Sequence, residues 1–412
     1  MTDPDALVAR DAAAFFHQQG SSPCIGALRA AQGIWLEDGT GRRCIDLHGN
    51  TVHHLGHGHP EIVAALKRQL DELAFTPRRF TNEPAVALAE ALLARWPGAP
   101  ARVLFATGGS DAIEIALKLA RVATGRDETV SLEGCYHGHG FGAFGLSAAT
   151  PDARLGRFLP GRHHVTPYWA GEQGPARMLE EVAGLLATRR IAAVIAEPMR
   201  SNCHVPPADL WPRIRALCDA YGVKLIFDEI PSGLGKTGRF FAFEHFGALP
   251  DAVVLGKALG GGMVPIAAVV ADARLNTAPE LELGHYTHEK NPLTTRAALT
   301  ALQIIARDDL VARADELGRT LKDGVAAIAA RVPCVRGARG LGLLLAIEFD
   351  AARCGRRPGP DFAAHLVASA FAQGLSTTAK GDGAIGLSLP LTVTDAEIAE
   401  VLVRVEAMGQ GL

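Results

Sequence analysis

Short apolar runs that end in Gly, Asp or Glu and are followed by helical periodicity constrain this chain more than any other feature. Five stand out: ARVLFATGG, ETVSLEG, IAAVIAEP, VKLIFDE and DAVVLGK. Such runs suit strands buried on both faces, as in a mainly parallel sheet covered by helices. Amphipathic stretches lie between them, among them DAIEIALKLARVA at 111–123 and ADLWPRIRALCDAYG at 208–222. The alternation predicts an α/β domain over roughly residues 60–290. Residues 291–330 read as one long helical segment leading out of it, and 331–412 as a small α+β domain. IWLEDGTGRRCIDLHG reads as a hairpin that packs the N-terminal segment beside that small domain. The predicted division is an N-terminal segment over 1–59, a large domain over 60–305 and a small C-terminal domain over 306–412.

Composition narrows the partners. With 412 residues, 48% of them hydrophobic, the chain can bury a large core. Its 41 basic and 44 acidic residues are interspersed and leave a net charge of -3. There is no extended field to hold nucleic acid or an anionic membrane, so a small molecule is the expected partner. Seven cysteines are scattered without a CxxC pair or metal-ligand spacing, which predicts a reducing compartment, no disulfide framework and no metal site. The N-terminus is acidic without a signal-length apolar core, and no run is long enough to span a bilayer. The expected location is the cytoplasm.

Three strand ends carry the chemistry. Asp228 closes VKLIFD, at the carboxyl end of a buried strand, where ligands bind in open α/β sheets. It either caps the following turn or pairs with a buried cation. Lys257 ends DAVVLGK, and a lysine in low-dielectric surroundings is more readily neutral, hence a usable nucleophile and base. It could instead snorkel from the strand end, but Gly260, Gly261 and Gly262 follow directly and permit close approach of backbone to a ligand. In FATGGSDAIEIALKLAR a strand runs through Gly108, Gly109 and Ser110 into a helix, whose free N–H groups and dipole make an anion site. No Walker lysine or dinucleotide spacing is present, so a cofactor phosphate fits best. Ser110 could equally be a plain N-cap.

Together these motifs resemble the class III aminotransferase family of fold-type I pyridoxal 5'-phosphate (PLP) enzymes, over nearly the whole chain. The resemblance implies an α/β fold of type I, PLP as cofactor and a homodimer with shared active sites. It implies that Gly109 and Ser110 hold the phosphate, that Tyr136 in GCYHGH stacks on the pyridine ring and that Ile230 covers its other face. Asp228 would bind the ring nitrogen and keep it protonated, and Lys257 would carry the cofactor as a Schiff base. Glu197 in AIAEPMR matches a family glutamate near the cofactor, with a structural ion pair as the alternative. Thr287 in GHYTHEKNPL matches a threonine that reaches the phosphate of the neighbouring subunit. LHGNTVHHLGHGHP matches the family's glycine- and histidine-rich segment, and turn packing explains His57 and His59 more simply than a metal does.

Three departures bear on the reaction. The usual DEVQ becomes Asp228, Glu229, Ile230, Pro231, and the usual GGNP becomes Glu289, Lys290, Asn291, Pro292. In GAIGLSLPLTVT, Gly386 stands where many family transaminases have an arginine. A transaminase that uses 2-oxoglutarate needs a cation for the acceptor's carboxylate, usually arginine. An elimination needs no acceptor: Lys257 takes a proton from the amine-bearing carbon, a neighbouring leaving group departs, and hydrolysis gives an aldehyde or ketone and ammonia.

AEPMRSN, DEIPSGLGKTG and GHYTHEKNP are similar to the branch of the family that contains the ammonia-lyase for (R)-1-hydroxy-2-aminoethylphosphonate. That similarity implies a carbon-nitrogen lyase making phosphonoacetaldehyde, in aminophosphonate catabolism, from an anionic amine. An ω-aminotransferase is the alternative and an aminomutase a further one. Candidates for the substrate's anionic end are His54, Arg78, Arg79, Arg200, Asn202 and Lys290.

Overall fold

The computed structural model describes residues 3–18, 21–147, 160–381 and 383–412. The N-terminal part forms strands β1 (Leu28–Gln32), β2 (Trp35–Asp38) and β3 (Arg43–Asp46). The large sheet follows with β4 (Ala101–Ala106), β5 (Glu128–Leu132), β6 (Arg162–Val165), β7 (Ile191–Ala196), β8 (Lys224–Asp228), β9 (Ala252–Leu255) and β10 (Ala267–Asp272). The C-terminal part adds β11 (Val335–Leu341), β12 (Leu344–Phe349), β13 (Leu375–Ser376) and β14 (Ala384–Ser388). All five apolar runs are strands of the large sheet.

That sheet has the order β4-β10-β9-β8-β7-β5-β6. Neighbours from β9 to β6 pair in parallel, and β10 is antiparallel to both β4 and β9. Every residue of β7, β9 and β10 is buried, which accounts for their unbroken apolar sequence. Because β10 alone is reversed, the carboxyl ends of β4, β5, β7, β8 and β9 all emerge at one edge. The fold thereby collects the strand-end residues there.

Helices cover the sheet. Gly109–Thr124 buries Ala112, Ile113, Ala116, Leu117, Leu119 and Ala120, a stripe at helical spacing, and ends at Gly125 in the left-handed region (φ 66°). Leu210–Tyr221 buries Leu210, Trp211, Ile214 and Cys218 and stops at Gly222 (φ 65°). Trp211 packs edge-on to Phe227 of β8 with ring centroids 5.0 Å apart. Aromatic pairs of this kind add about 0.5–1.5 kcal/mol beyond area burial.

The hairpin expected from IWLEDGTGRRCIDLHG is present as β2 and β3, with Trp35 opposite Ile45. Its outer strand β3 pairs in parallel with β13, Ile45 opposite Leu375, so the N-terminal segment shares a sheet with the C-terminal part. β11, β12 and β14 form a separate antiparallel sheet.

The single long helical segment expected over 291–330 is two helices, Pro292–Arg307 and Leu310–Ala329. Asp309 lies between them at φ 48°, a left-handed conformation that no continuous helix contains. The first helix is capped by Asn291, whose side chain accepts from Leu293 N at 2.8 Å and Thr294 N at 3.2 Å. Among the described residues, no helix is long and apolar enough to cross a membrane.

Candidate active site

Asp228 is the last residue of β8 and is buried. Its Oδ1 accepts from Ile230 N at 3.1 Å, as a turn-capping carboxylate does, and its Oδ2 lies 2.7 Å from Nδ1 of His137. Both expected roles thus coexist, one oxygen for each. Burial works against a charge on His137, but Cys135 and Asp228 outweigh it and push the imidazole pKa up to about 10. The residue motifs alone did not single out His137. The signal was its place beside Tyr136 in GCYHGH, but its partner lies 91 positions away.

Lys257 follows β9 after the extended Gly256 and opens a short 3-10 turn. Its φ of 47° is uncommon for a residue with a Cβ, a constraint that the surrounding core must hold in place. Burial lowers the pKa of its amine, while Glu197 and Asp228 act in the opposite sense. The amine is therefore easier to deprotonate than an exposed lysine.

At the end of β4 the helix Gly109–Thr124 begins with Gly108 as its N-cap, without a side-chain cap. Ser110 does not cap: its Oγ accepts from His139 N at 3.0 Å and ties the helix start to the 134–140 loop. A Cβ on Gly109 would stand 2.7 Å from Ile230 Cδ1, so only glycine allows this approach of backbone to the Ile230 side chain.

Just past β7, Glu197 is buried, accepts from Ser201 N at 3.0 Å and forms an ion pair with Arg200 Nη1. Arg200 also donates from Nη1 to Ser201 Oγ at 2.7 Å and from Nη2 to Gly134 O at 2.8 Å. Burial works against the Arg200 charge, and Glu197 more than restores it.

Gly109, Ser110, Tyr136 and Ile230 line one cleft together with Glu197, Arg200, Asp228 and Lys257. Its volume of about 180 Å³ is smaller than the ~300–1,000 Å³ common for small-molecule sites. A carboxylate, an amine and a helix N-terminus converge there, and the Tyr136 ring is left exposed.

The family model "Aminotransferase class-III" matches residues 16–408. The chain belongs to the class III aminotransferases. It is 35% identical to the (R)-1-hydroxy-2-aminoethylphosphonate ammonia-lyase of Vibrio splendidus (strain 12B01), over 96% of this chain and 88% of the relative. It is 34% identical to the acetylornithine aminotransferase of Mycolicibacterium smegmatis (strain ATCC 700084 / mc(2)155), over 98% of this chain and 97% of the relative. The solved taurine:2-oxoglutarate aminotransferase of Bifidobacterium kashiwanohense, in complex with PLP and glutamate, superimposes with a TM-score of 0.89 at 26% identity. That likeness covers 99% of this chain and 97% of the other.

This class III aminotransferase therefore has fold type I and PLP as its cofactor. The cleft fits that group: the Gly109–Ile230 approach leaves a side-chain-free floor beside the helix start, and Asp228 and Lys257 face the same space.

The other candidates of this class III chain lie elsewhere. His54 is buried, its Nε2 3.2 Å from Gly233 O, and burial holds its pKa well below the ordinary value; it is a neutral core histidine. Arg78 donates to Glu289 Oε1 at 3.1 Å and Glu282 Oε1 at 3.4 Å, and Arg79 is exposed. Asn202 accepts from Arg339 Nε at its backbone oxygen at 3.2 Å, and the Lys290 carbonyl accepts from Asn82 Nδ2 at 2.8 Å. Thr287 is exposed in the turn before the helix Pro292–Arg307. In the histidine-rich segment, Asp46, His53 and His57 offer atoms within 4.8 Å of one another. Asp46 already meets His57 Nε2 at 2.8 Å and accepts from His48 N at 3.0 Å and Gly49 N at 2.8 Å, a turn-packing arrangement.

Proposed function

We propose that this chain is a PLP-dependent ammonia-lyase that removes the amine and a neighbouring hydroxyl from a β-hydroxy amine. The specific substrate we propose is (R)-1-hydroxy-2-aminoethylphosphonate, giving phosphonoacetaldehyde and ammonia. The observation that carries this reading is Gly386 in β14, which presents no arginine fork where a transaminase would hold a dicarboxylate acceptor. The 35% identical ammonia-lyase supports it.

In this reading Gly109 and Ser110 receive the cofactor's phosphate, Tyr136 and Ile230 flank its ring, and Lys257 bonds it covalently. Bound there, PLP supplies an electron sink that lets the carbon bearing the amine give up a proton. Asp228, held by His137, keeps a proton on the ring nitrogen. Lys257 Nζ would take the proton from the substrate carbon and give it to the hydroxyl on the adjacent carbon, which leaves as water, and hydrolysis by a water would then give the aldehyde and release the amine as ammonia. Glu197, neutralised by Arg200, repels the anionic substrate less than a free carboxylate would. A second copy of the chain would bring Thr287 to the phosphate, making a homodimer with shared sites. The division at 59/60 and 305/306 belongs to the same proposal.

An aminotransferase is the second reading, favoured by relatives such as the acetylornithine aminotransferase. The two part on one assay. The cofactor-loaded protein is incubated with (R)-1-hydroxy-2-aminoethylphosphonate and no keto acid, and ammonia and aldehyde are measured over many turnovers. Catalytic ammonia release supports the lyase; no ammonia in that reaction, with amine transfer once 2-oxoglutarate is added to a parallel one, contradicts it.

A further inference from the structure

Gly386 does more than lack a side chain. A Cβ built on it would stand 2.9 Å from Cε and 3.7 Å from Cγ of Lys380, so the aliphatic stem of that lysine lies across the glycine's face. The segment Thr378–Lys380 is held against β14: Lys380 N donates to Ala384 O at 2.8 Å and Gly386 N to Thr378 O at 2.9 Å. Thr377 Oγ1 adds a bond to Gly386 O at 2.6 Å. A side chain at 386 would have to move the lysine stem, so the glycine leaves room for Lys380 to lie there.

The neighbouring cations are already committed. Arg200 is spent on Glu197, Ser201 and Gly134. Arg339 pairs with Glu348 and donates to the carbonyls of Asn202 and Lys380 at 3.1 Å each from Nη2. Lys236 donates to Leu389 O. Among the described residues, Lys380 Nζ makes no hydrogen bond and no ion pair. Burial lowers its pKa, and Glu197, Arg200 and Lys257 of the cleft all share an electrostatic interaction with it. A half-buried ammonium without a partner is costly until an anion reaches it.

We propose that Lys380 is the cation that receives the anionic end of the amine substrate, in place of an arginine at position 386. This rests on the reading that the substrate carries an anion. Lysine is a compact charge with three rotatable donors, whereas arginine's planar fork matches a planar carboxylate. The chemical class that suits Lys380 is therefore a tetrahedral phosphonate, as on a 2-aminoalkylphosphonate.

The test uses the cofactor-loaded protein and two amines without a leaving group, one with a charged far end and one with a neutral one: 2-aminoethylphosphonate and propylamine. Affinity is read from the initial change in visible absorbance of the bound cofactor as each is titrated. In K380M, binding of 2-aminoethylphosphonate should weaken at least about tenfold, as expected for loss of a charge-assisted contact, with propylamine within about twofold. K380R should recover the phosphonate to within about threefold. If K380M has no cooperative melting transition, K380Q takes its place. A variant that weakens both amines equally, or neither, overturns the proposal. Ammonia release plays no part in this readout, so failure of the lyase assignment and failure of the Lys380 assignment are separate results.

Discussion

His137 Nδ1 and Asp228 Oδ2 lie 2.7 Å apart, with both side chains buried at the end of β8. The imidazole holds one carboxylate oxygen while Ile230 N donates to the other. Removing the imidazole in His137→Ala leaves a buried carboxylate without its partner, and breaking such pairs costs about 3–5 kcal/mol. Denaturant unfolding should show that loss. Adding Asp228→Asn to the alanine variant should recover part of it, because the residual charge is gone; equal or greater loss in the double variant would contradict the pairing.

Two buried cations give opposite pH dependences. His137 has its folded pKa raised to about 10 from 6.5, because Cys135 and Asp228 outweigh burial. Its stabilisation is complete below about 6.5 and is lost as pH rises through about 10. Lys236 has its folded pKa lowered by burial to about 7 from 10.5. There the unfolded chain binds the extra proton, so stability rises with pH between about 7 and 10.5. The slopes oppose each other in the parent chain. Lys236→Met should make stability fall across this range and His137→Ala should make it rise, as measured by unfolding of the cofactor-free protein.

At the helix start, Gly109→Ala puts a methyl 2.7 Å from Ile230 Cδ1. Overpacking of this kind costs about 1–3 kcal/mol, and here it should appear as weaker PLP binding in a fluorescence titration. Ile230→Val deletes the Cδ1 atom, so the double variant should bind PLP more tightly than Gly109→Ala alone. No rescue would mean that the clash is not what glycine avoids.

Arg200 and Glu197 form a pair with side chains 15% and 2% exposed. Arg200→Met should destabilise the fold more than Arg200→Met with Glu197→Gln. The coupling from a double-mutant cycle should lie within about 0.5–3 kcal/mol. A value near zero would mean that Glu197 does not depend on this arginine.

Much of the large sheet was legible because β7, β9 and β10 are buried on both faces, and burial writes itself as apolar sequence. Glu197, Asp228 and Lys257 were legible as strand-end residues, and a parallel sheet brings such ends together. His137 was not, since its meaning depends on a strand 91 residues later. The break at Asp309 was hidden because aspartate is compatible with helix, and only the left-handed φ of 48° shows the turn. Lys380 was hidden for a different reason. Gly386 reads as an absence in sequence, and the side chain that fills the space comes from six residues earlier, in a segment hydrogen-bonded to β14.

The proposed reaction requires Lys257 as the amine that bonds PLP. Borohydride reduction of the PLP-loaded protein, followed by digestion and mass spectrometry, should find the pyridoxyl group on the peptide that contains Lys257. The group on Lys236 or Lys380 instead, or on no lysine at all, would contradict it.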